Sequence, residues 1–483
     1  MDTFLQALRA VIDNLGATVV LPIVIFLLAW IMGAKPGRAF KAGVTIGIAF
    51  IGINLIIGLM WGTLTDVGQR MVENTGTSLN VMDVGWPSAA AIAFGTNVGL
   101  WVIPIAILVN IVLLLVRVTK TLNIDVWNYW HFAFIGSMVA LATQSLGWGL
   151  FAAGIAAAFA LFLADWTSRG VQYFYGLPGI SIPHLTTMPG VPFGIVTNWV
   201  IEKIPGVRNV KADPESIQKR WGVFGDPIIL GLIIGLVLGL LAYYNAGDLS
   251  TVVVRTLQTG MNLAAVMLLL PRMVQILMEG LIPVSEAARD FMQRRASGRD
   301  IWIGLDSAIL IGHESAISTA LLLVPTAILL SLILPGNQVL LFADLAVIPF
   351  VVAGFAPIMR GNIFRMWVAG LFELILGFYL ATNMAQFFTA AAAEANFAFP
   401  EGATLITSIA DGFLWPPYVF ARLSELTPWL LFLLLAILAV VWFLYLRNPE
   451  PWERAAGAPA PEDGDESPPE EVSGPVGEAA AGE

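Results

Sequence analysis

The 483-residue sequence has no cysteine, only three histidines and only 12% charged residues. Without cysteine there is no disulfide framework, no thiolate metal site and no cysteine nucleophile. No Walker motif, glycine-rich dinucleotide fingerprint, zinc-ligand spacing or nucleophile elbow occurs. ATP-driven pumping within this chain is thereby excluded, intrinsic catalysis is not expected, and neither a cofactor nor a metal is predicted. Charge is scarce and unevenly placed. Net charge is −10, and residues 448–483 hold ten acids against the single base Arg454, so the rest of the chain is almost neutral. No basic patch supports a nucleic-acid partner. The Pro-, Gly- and Ala-rich acidic segment is predicted to be a disordered tail.

What the sequence has in abundance is apolar length: 58% of residues are hydrophobic and mean hydropathy is +0.81. A soluble domain carries about 25% charged residues and could not bury so much apolar surface. Runs such as Gly16–Gly33, Thr45–Trp61, Trp101–Val116, Gly225–Tyr244 and Pro428–Leu446 are near membrane-spanning length. Backbone groups in a bilayer must pair internally, so repeated runs of this length predict an all-α polytopic bundle. Met1–Asn14 lacks a basic segment before an apolar one, so no cleavable signal is expected.

Lys and Arg collect in cytoplasmic loops. Lys35, Arg38 and Lys41 follow the first run, Arg117 and Lys120 the third, Arg169 the fifth, and Lys203, Arg208, Lys211, Lys219 and Arg220 the stretch 175–202. This pattern places the N-terminus outside and the C-terminus in the cytoplasm. Further crossings are predicted at Val126–Leu146, Trp148–Asp165, Thr256–Pro283, Ala316–Leu334, Val339–Ala356 and Met366–Thr382. Two apolar stretches, Tyr175–Glu202 and Phe399–Phe420, are interrupted by proline and predict re-entrant hairpins. The expectation is about eleven transmembrane helices: a first inverted five-helix repeat over 1–224, a second over 225–447 with one final span, then the tail 448–483. An odd number of spans per half forces the halves into opposite orientation. Val84–Ala89 can be laid on Ile303–Ala308, and the same offset brings Asp125 onto Asp344.

Polar groups at membrane depth are costly and mark cavities or partners. All three histidines qualify: His131 opens an apolar run, His184 sits on proline-broken backbone, and His313 precedes Glu314. Neutral imidazole both donates and accepts, as a polyol requires. Asp306 can take two hydroxyl hydrogen bonds, and Trp86, followed by Pro87, offers a face for C–H groups. Against these readings stand helix capping for Asp306, Asp125 and Asp344, and the interfacial aromatic belt for Trp86. Glu314 and Glu373 are further buried-carboxylate candidates. Asn97, Asn110 and Gln144 read as interhelical hydrogen-bonding groups.

Several blocks together resemble the galactitol-type membrane subunit, enzyme IIC, of the bacterial phosphotransferase system. They are Asp83–Pro87, Pro104–Asn110, Asp125–His131, Ile182–His184, Glu202–Gly206, Gly304–Asp306, Gly312–His313, Pro335–Val339 and Arg360–Arg365. The resemblance implies a homodimeric cell-membrane permease with an elevator-like core, carrying galactitol or a related alditol. It also implies phosphorylation by the phosphocysteine of a separate IIB protein, supplied through IIA. Trp86, His131, His184 and Asp306 match the pocket positions of the related ascorbate transporters, with Pro87, His313 and Glu314 beside them. Ile135 and Leu185 stand where the ascorbate branch has glutamine, which favours a polyol. A proton-coupled polyol or ascorbate-like carrier on the same fold, with Glu314 or Asp306 as proton site, is the alternative.

Overall fold

The computed structural model describes residues 17–75, 79–215, 227–295, 301–341, 343–399 and 403–460. Met1–Asn14, Lys219, Arg220 and residues 461–483 of the expected tail lie outside the described residues. The first helices are α1 (Ala17–Ile31), α2 (Pro36–Thr75), α3 (Trp86–Gly95), α4 (Gly99–Leu115), α5 (Trp130–Thr143), α6 (Leu146–Tyr175) and α7 (Val191–Lys203). Then come α8 (Pro227–Tyr243), α9 (Leu249–Arg295), α10 (Glu314–Ile333), α11 (Ile348–Ala353), α12 (Ala356–Met359) and α13 (Ile363–Glu394). The last are α14 (Ile409–Gly412), α15 (Trp415–Leu426), α16 (Leu430–Arg447) and α17 (Pro449–Ala455).

Six described helices are long and apolar enough to cross a membrane: α2, α6, the first part of α9, α10, α13 and α16. The pair α3–α4, bent by 90°, makes a seventh if counted as one span. That is fewer than the eleven expected. Val126–Leu146 contains α5, only 14 residues, and Val339–Ala356 contains α11, only six. At 1.5 Å per residue, 14 residues cover about 21 Å of a core about 30 Å thick. Both segments are apolar because they are buried inside the protein, and hydropathy cannot separate that burial from contact with lipid.

The α3–α4 bend satisfies its own freed backbone groups. Thr96 Oγ1 donates to Ala93 O (2.8 Å) and accepts from Gly99 N (3.1 Å), while Asn97 N and Nδ2 both reach Glu394 Oε1 on α13. Asn110 accepts from Asn123 N and donates to Thr121 O, tying α4 to a strand. Gln144 departs from the interhelical role expected of it. It closes α5 in the left-handed region (φ 51°) and bonds Leu141 O of its own helix. Where α5 meets α6, a Cβ on Gly136 would stand 2.6 Å from Gly149 O, and one on Gly149 2.7 Å from Gly136 O. Only glycine lets these two backbones touch.

Among the described residues, six short strands, β1 (Val81–Asp83), β2 (Thr121–Asn123), β3 (Ile180–Ser181), β4 (Trp302–Gly304), β5 (Val339–Leu340) and β6 (Leu405–Thr407), form two parallel sheets. Their orders are β5-β1-β6 and β2-β4-β3. Each sheet takes its central strand from one half of the sequence and both neighbours from the other. Spatial grouping also cuts across the halves. Helices α1, α2, α8 and α9 pack on one another, whereas α5 packs with α6 and α15, and α10 with α13. Trp61 Nε1 on α2 donates to Ala343 O (2.6 Å), joining the first group to the second.

The expected tail beginning at 448 departs from the structure over its first residues. Helix α17 docks on α6: Trp166 Nε1 donates to Trp452 O (2.7 Å), and Glu453, 4% exposed, meets Tyr445 Oη (3.1 Å) and Arg169 Nη1 (3.2 Å). One tryptophan anchor and one paired acid outweigh the local composition. Beyond it, a Cβ on Gly170 would stand 2.2 Å from Ala456 O. Gly170→Val is therefore expected to undock this strap at a cost of about 1–3 kcal/mol. Trypsin should then cleave after Arg454 at least several-fold faster, and an unchanged cleavage rate would refute the packing argument.

Candidate functional site

The ends of the two sheets bring the buried polar residues together. In the first, Asp83 Oδ1 accepts from Gly85 N (3.0 Å) and Oδ2 from Asp344 N (2.7 Å). Asp344 sits at the N-cap position of the 3-10 turn Leu345–Val347, but its side chain does not cap that turn. It reaches across to accept from Trp86 N (2.6 Å), Ile409 N (2.7 Å) and Ser408 Oγ. One carboxylate therefore pins the start of α3, its own loop and the second hairpin. Asp125, likewise expected as a cap, accepts from Asn128 Nδ2 (2.7 Å) instead. Asp306 does cap: its Oδ1 accepts from Ala308 N (2.9 Å) at the turn Ser307–Ile309.

Both proline-broken stretches are built as a strand, a tight turn and a short helix. The first runs β3, the 3-10 turn Met188–Gly190 and α7, and the second runs β6, α14 and α15. Their tips meet at His131 on α5. His131 Nδ1 lies 3.1 Å from Asp411 Oδ1 of the second hairpin, and Nε2 lies 3.2 Å from Thr186 Oγ1 of the first. The His131 and His184 rings stand edge to face at 4.9 Å. His184 Nδ1 accepts from Thr186 N (3.3 Å), and its Nε2 faces Asp306 Oδ1 at 3.7 Å. The Asp306 side chain is 22% exposed, against 5% for His184 and 1% each for His131 and Asp411. Asp306 is thus the open end of a buried line of groups, with Asp125 within electrostatic range of it.

The hydrogen bonds fix proton positions. A backbone amide can only donate, so His184 Nδ1 is the acceptor and its proton sits on Nε2, directed toward Asp306. At that point the chain offers one donor and one acceptor 3.7 Å apart. A hydroxyl, which both accepts and donates, fits such a pair.

Of the residues singled out from sequence, His131, His184 and Asp306 come together. Trp86 and Pro87 start α3, where the Trp86 ring lies 6.3 Å from Trp61 and its backbone is held by Asp344. His313 stands elsewhere. It caps α10 through Ser315 N (3.2 Å), with its ring 4.6 Å from Phe174 and 5.4 Å from Tyr175, and Glu314, expected to be buried, is exposed where it opens the first turn of α10. Asp411 and Thr186 went unnoticed in the sequence. The signal for Asp411 was an acid inside the second broken apolar stretch; a lone threonine gives none. Among the described residues no group of His, Asp and Glu could hold a metal ion. A polar cavity of about 320 Å³ lies apart from the histidines, between α2, α8 and α9, lined by Thr63, Asp66, Tyr243, Arg255, Gln258 and Asn262 among others.

Residues 10–402 match the family model EIIC-GAT, described as a PTS system sugar-specific permease component. The chain is 42% identical over 393 residues to the PTS system galactitol-specific EIIC component of Escherichia coli K12, covering 81% of this chain and 85% of that protein. It is 38% identical over 399 residues to a putative permease IIC component of the same strain, covering 83% and 90%. With most of the chain inside the family match and its buried histidines gathered between two broken hairpins, this multi-pass protein of the cell membrane belongs to the EIIC-GAT family of phosphotransferase-system permeases.

Proposed function

We propose that this chain translocates galactitol or a related alditol, presenting it at the cytoplasmic face to a separate IIB protein charged through IIA. The observation that carries the reading is the His184 Nε2–Asp306 Oδ1 pair at the open end of the buried cluster. His184 donates to a solute hydroxyl, Asp306 accepts from the same or a neighbouring one, and Trp86 with Pro87 lines the C–H face. His131 acts from behind, because both its ring nitrogens already have partners. His313 and Glu314 contribute at the far end of α6, on the path and not at the pair itself. The galactitol specificity named for a relative at 42% identity supports the solute class. No cysteine in this sequence can carry the phosphate, which supports a separate phosphocysteine-bearing IIB protein.

Two inverted repeats, 1–224 and 225–447, are supported by the strand exchange, in which β1 and β4 occupy equivalent central places. In this reading the hairpin-bearing group moves as an elevator against α1, α2, α8 and α9. A homodimer is supported by exposed Gly58, Gly62, Asp66, Arg255 and Gln258 around the polar cavity. Polar and small side chains on the outside of long apolar helices are better satisfied by a second copy than by lipid. The N-terminus lies outside and the C-terminus in the cytoplasm.

The test is inverted membrane vesicles given labelled galactitol, phosphoenolpyruvate, enzyme I, HPr, IIA and IIB. Alditol phosphate should appear only when IIB is present. Accumulation of unmodified alditol driven by a pH gradient alone would overturn the reading in favour of a proton-coupled carrier.

A further inference from the structure

Asp411 lies at the tip of the second hairpin, beyond the residues matched by the family model, and is 1% exposed. Its Oδ1 meets His131 Nδ1 at 3.1 Å, and its Oδ2 has no hydrogen-bond partner among the described residues. Leaving a buried carboxylate oxygen unpaired is costly, so the arrangement persists only if the other oxygen has a task. The task follows from the connections. Asp411 Oδ1 and His131 Nδ1 share one proton between them, so this contact sets the orientation of the ring and the role left to Nε2. Nε2 shares a hydrogen bond with the Thr186 hydroxyl at 3.2 Å, that hydroxyl also reaches Ala410 O at 3.4 Å, and the amide of the same Thr186 fixes the acceptor nitrogen of His184. Trp130 stacks on the imidazole at 3.8 Å and limits its rotation.

We propose that Asp411 is a positioning residue of the solute site: through His131 and Thr186 it links the second hairpin to the first and sets how His184 is presented. The link exists only while the two hairpin tips are together. Solute affinity is thereby tied to a contact between segments more than 200 residues apart in the sequence. The inference rests on His184 and Asp306 being the solute-binding pair.

The experiment uses the purified full-length protein in vesicles, with phosphotransferase components and labelled galactitol. Asp411→Leu should raise KM at least tenfold while the rate at saturating solute changes less than threefold. Asp411→Asn, whose amide can donate to or accept from Nδ1, should stay within about threefold of the parent. Thr186→Val should resemble Asp411→Leu, and the double variant should be no worse than either single one. Because the chain has only three histidines, nitrogen-15 spectra can report each tautomer. His131 should show a single tautomer in the parent and lose that preference in Asp411→Leu.

An unchanged KM in Asp411→Leu, an Asp411→Asn variant as impaired as Asp411→Leu, or an unaltered His131 spectrum would each overturn the proposal. If Asp411→Leu does not fold, Asp411→Asn and Thr186→Val decide by the same readings. His184→Ala serves as the separate control. Normal uptake in that variant would defeat the solute-pair reading itself, whatever Asp411 does.

Discussion

Asp306→Asn is expected to abolish most uptake while leaving the protein folded. Asparagine keeps the hydrogen bond to Ala308 N, because it caps a turn about as well as aspartate. What it loses is the charged acceptor facing His184 Nε2. A hydrogen bond to a charged group contributes about 1.5–3 kcal/mol, so one lost bond weakens solute affinity by about 10- to 150-fold. The measurement is galactitol binding to the purified variant by calorimetry, with its melting temperature recorded alongside. Binding unchanged at an unchanged melting temperature would remove Asp306 from the site. Asp306→Ala should cost stability as well, since it also uncaps the turn, and the difference between the two variants isolates the solute contact.

The second large effect is on the fold. Asp344→Ala should destabilise the protein by roughly 3–5 kcal/mol, because each buried donor left without a partner costs about 1–3 kcal/mol. Trp86 N, Ile409 N and Ser408 Oγ all lose their acceptor, and all three lie in or beside fully buried structure. The variant should melt at least several degrees lower and bind solute more weakly, since the start of α3 and the second hairpin lose their common anchor. Asp344→Asn should recover only part, because one of its two side-chain positions is now a donor facing donors. A melting temperature within a degree of the parent in Asp344→Ala would show that other contacts hold these three segments.

Two elements show why the sequence stops short of this picture. Val339–Ala356 reads as a crossing because, Asp344 apart, its residue types suit lipid. Its described residues form a strand, a turn and a six-residue helix, most of them buried against other protein. Burial in protein and burial in hydrocarbon select the same side chains, so composition alone counts both as spans. Asp344 shows the same limit for polar groups. A capping site is a local pattern, legible from neighbours along the chain, whereas its actual partners are 258 residues earlier and 64 to 65 later.

The sequence by itself determined the class: an apolar, cysteine-free, helical membrane chain with two proline-broken stretches and three histidines worth watching. Those conclusions depend on solvation and local backbone geometry, which each segment carries with it. Only the tertiary structure decided which histidine faces an open acceptor and which is enclosed, and that His313 stands apart with Phe174 and Tyr175. It also decided that Asp411 and Thr186 belong to the cluster. These outcomes depend on distances between segments far apart in the chain, set by two sheets that each borrow strands from both halves. No local pattern encodes such a distance, because hydrogen-bond partners 55 and 280 residues from His131 are chosen by packing.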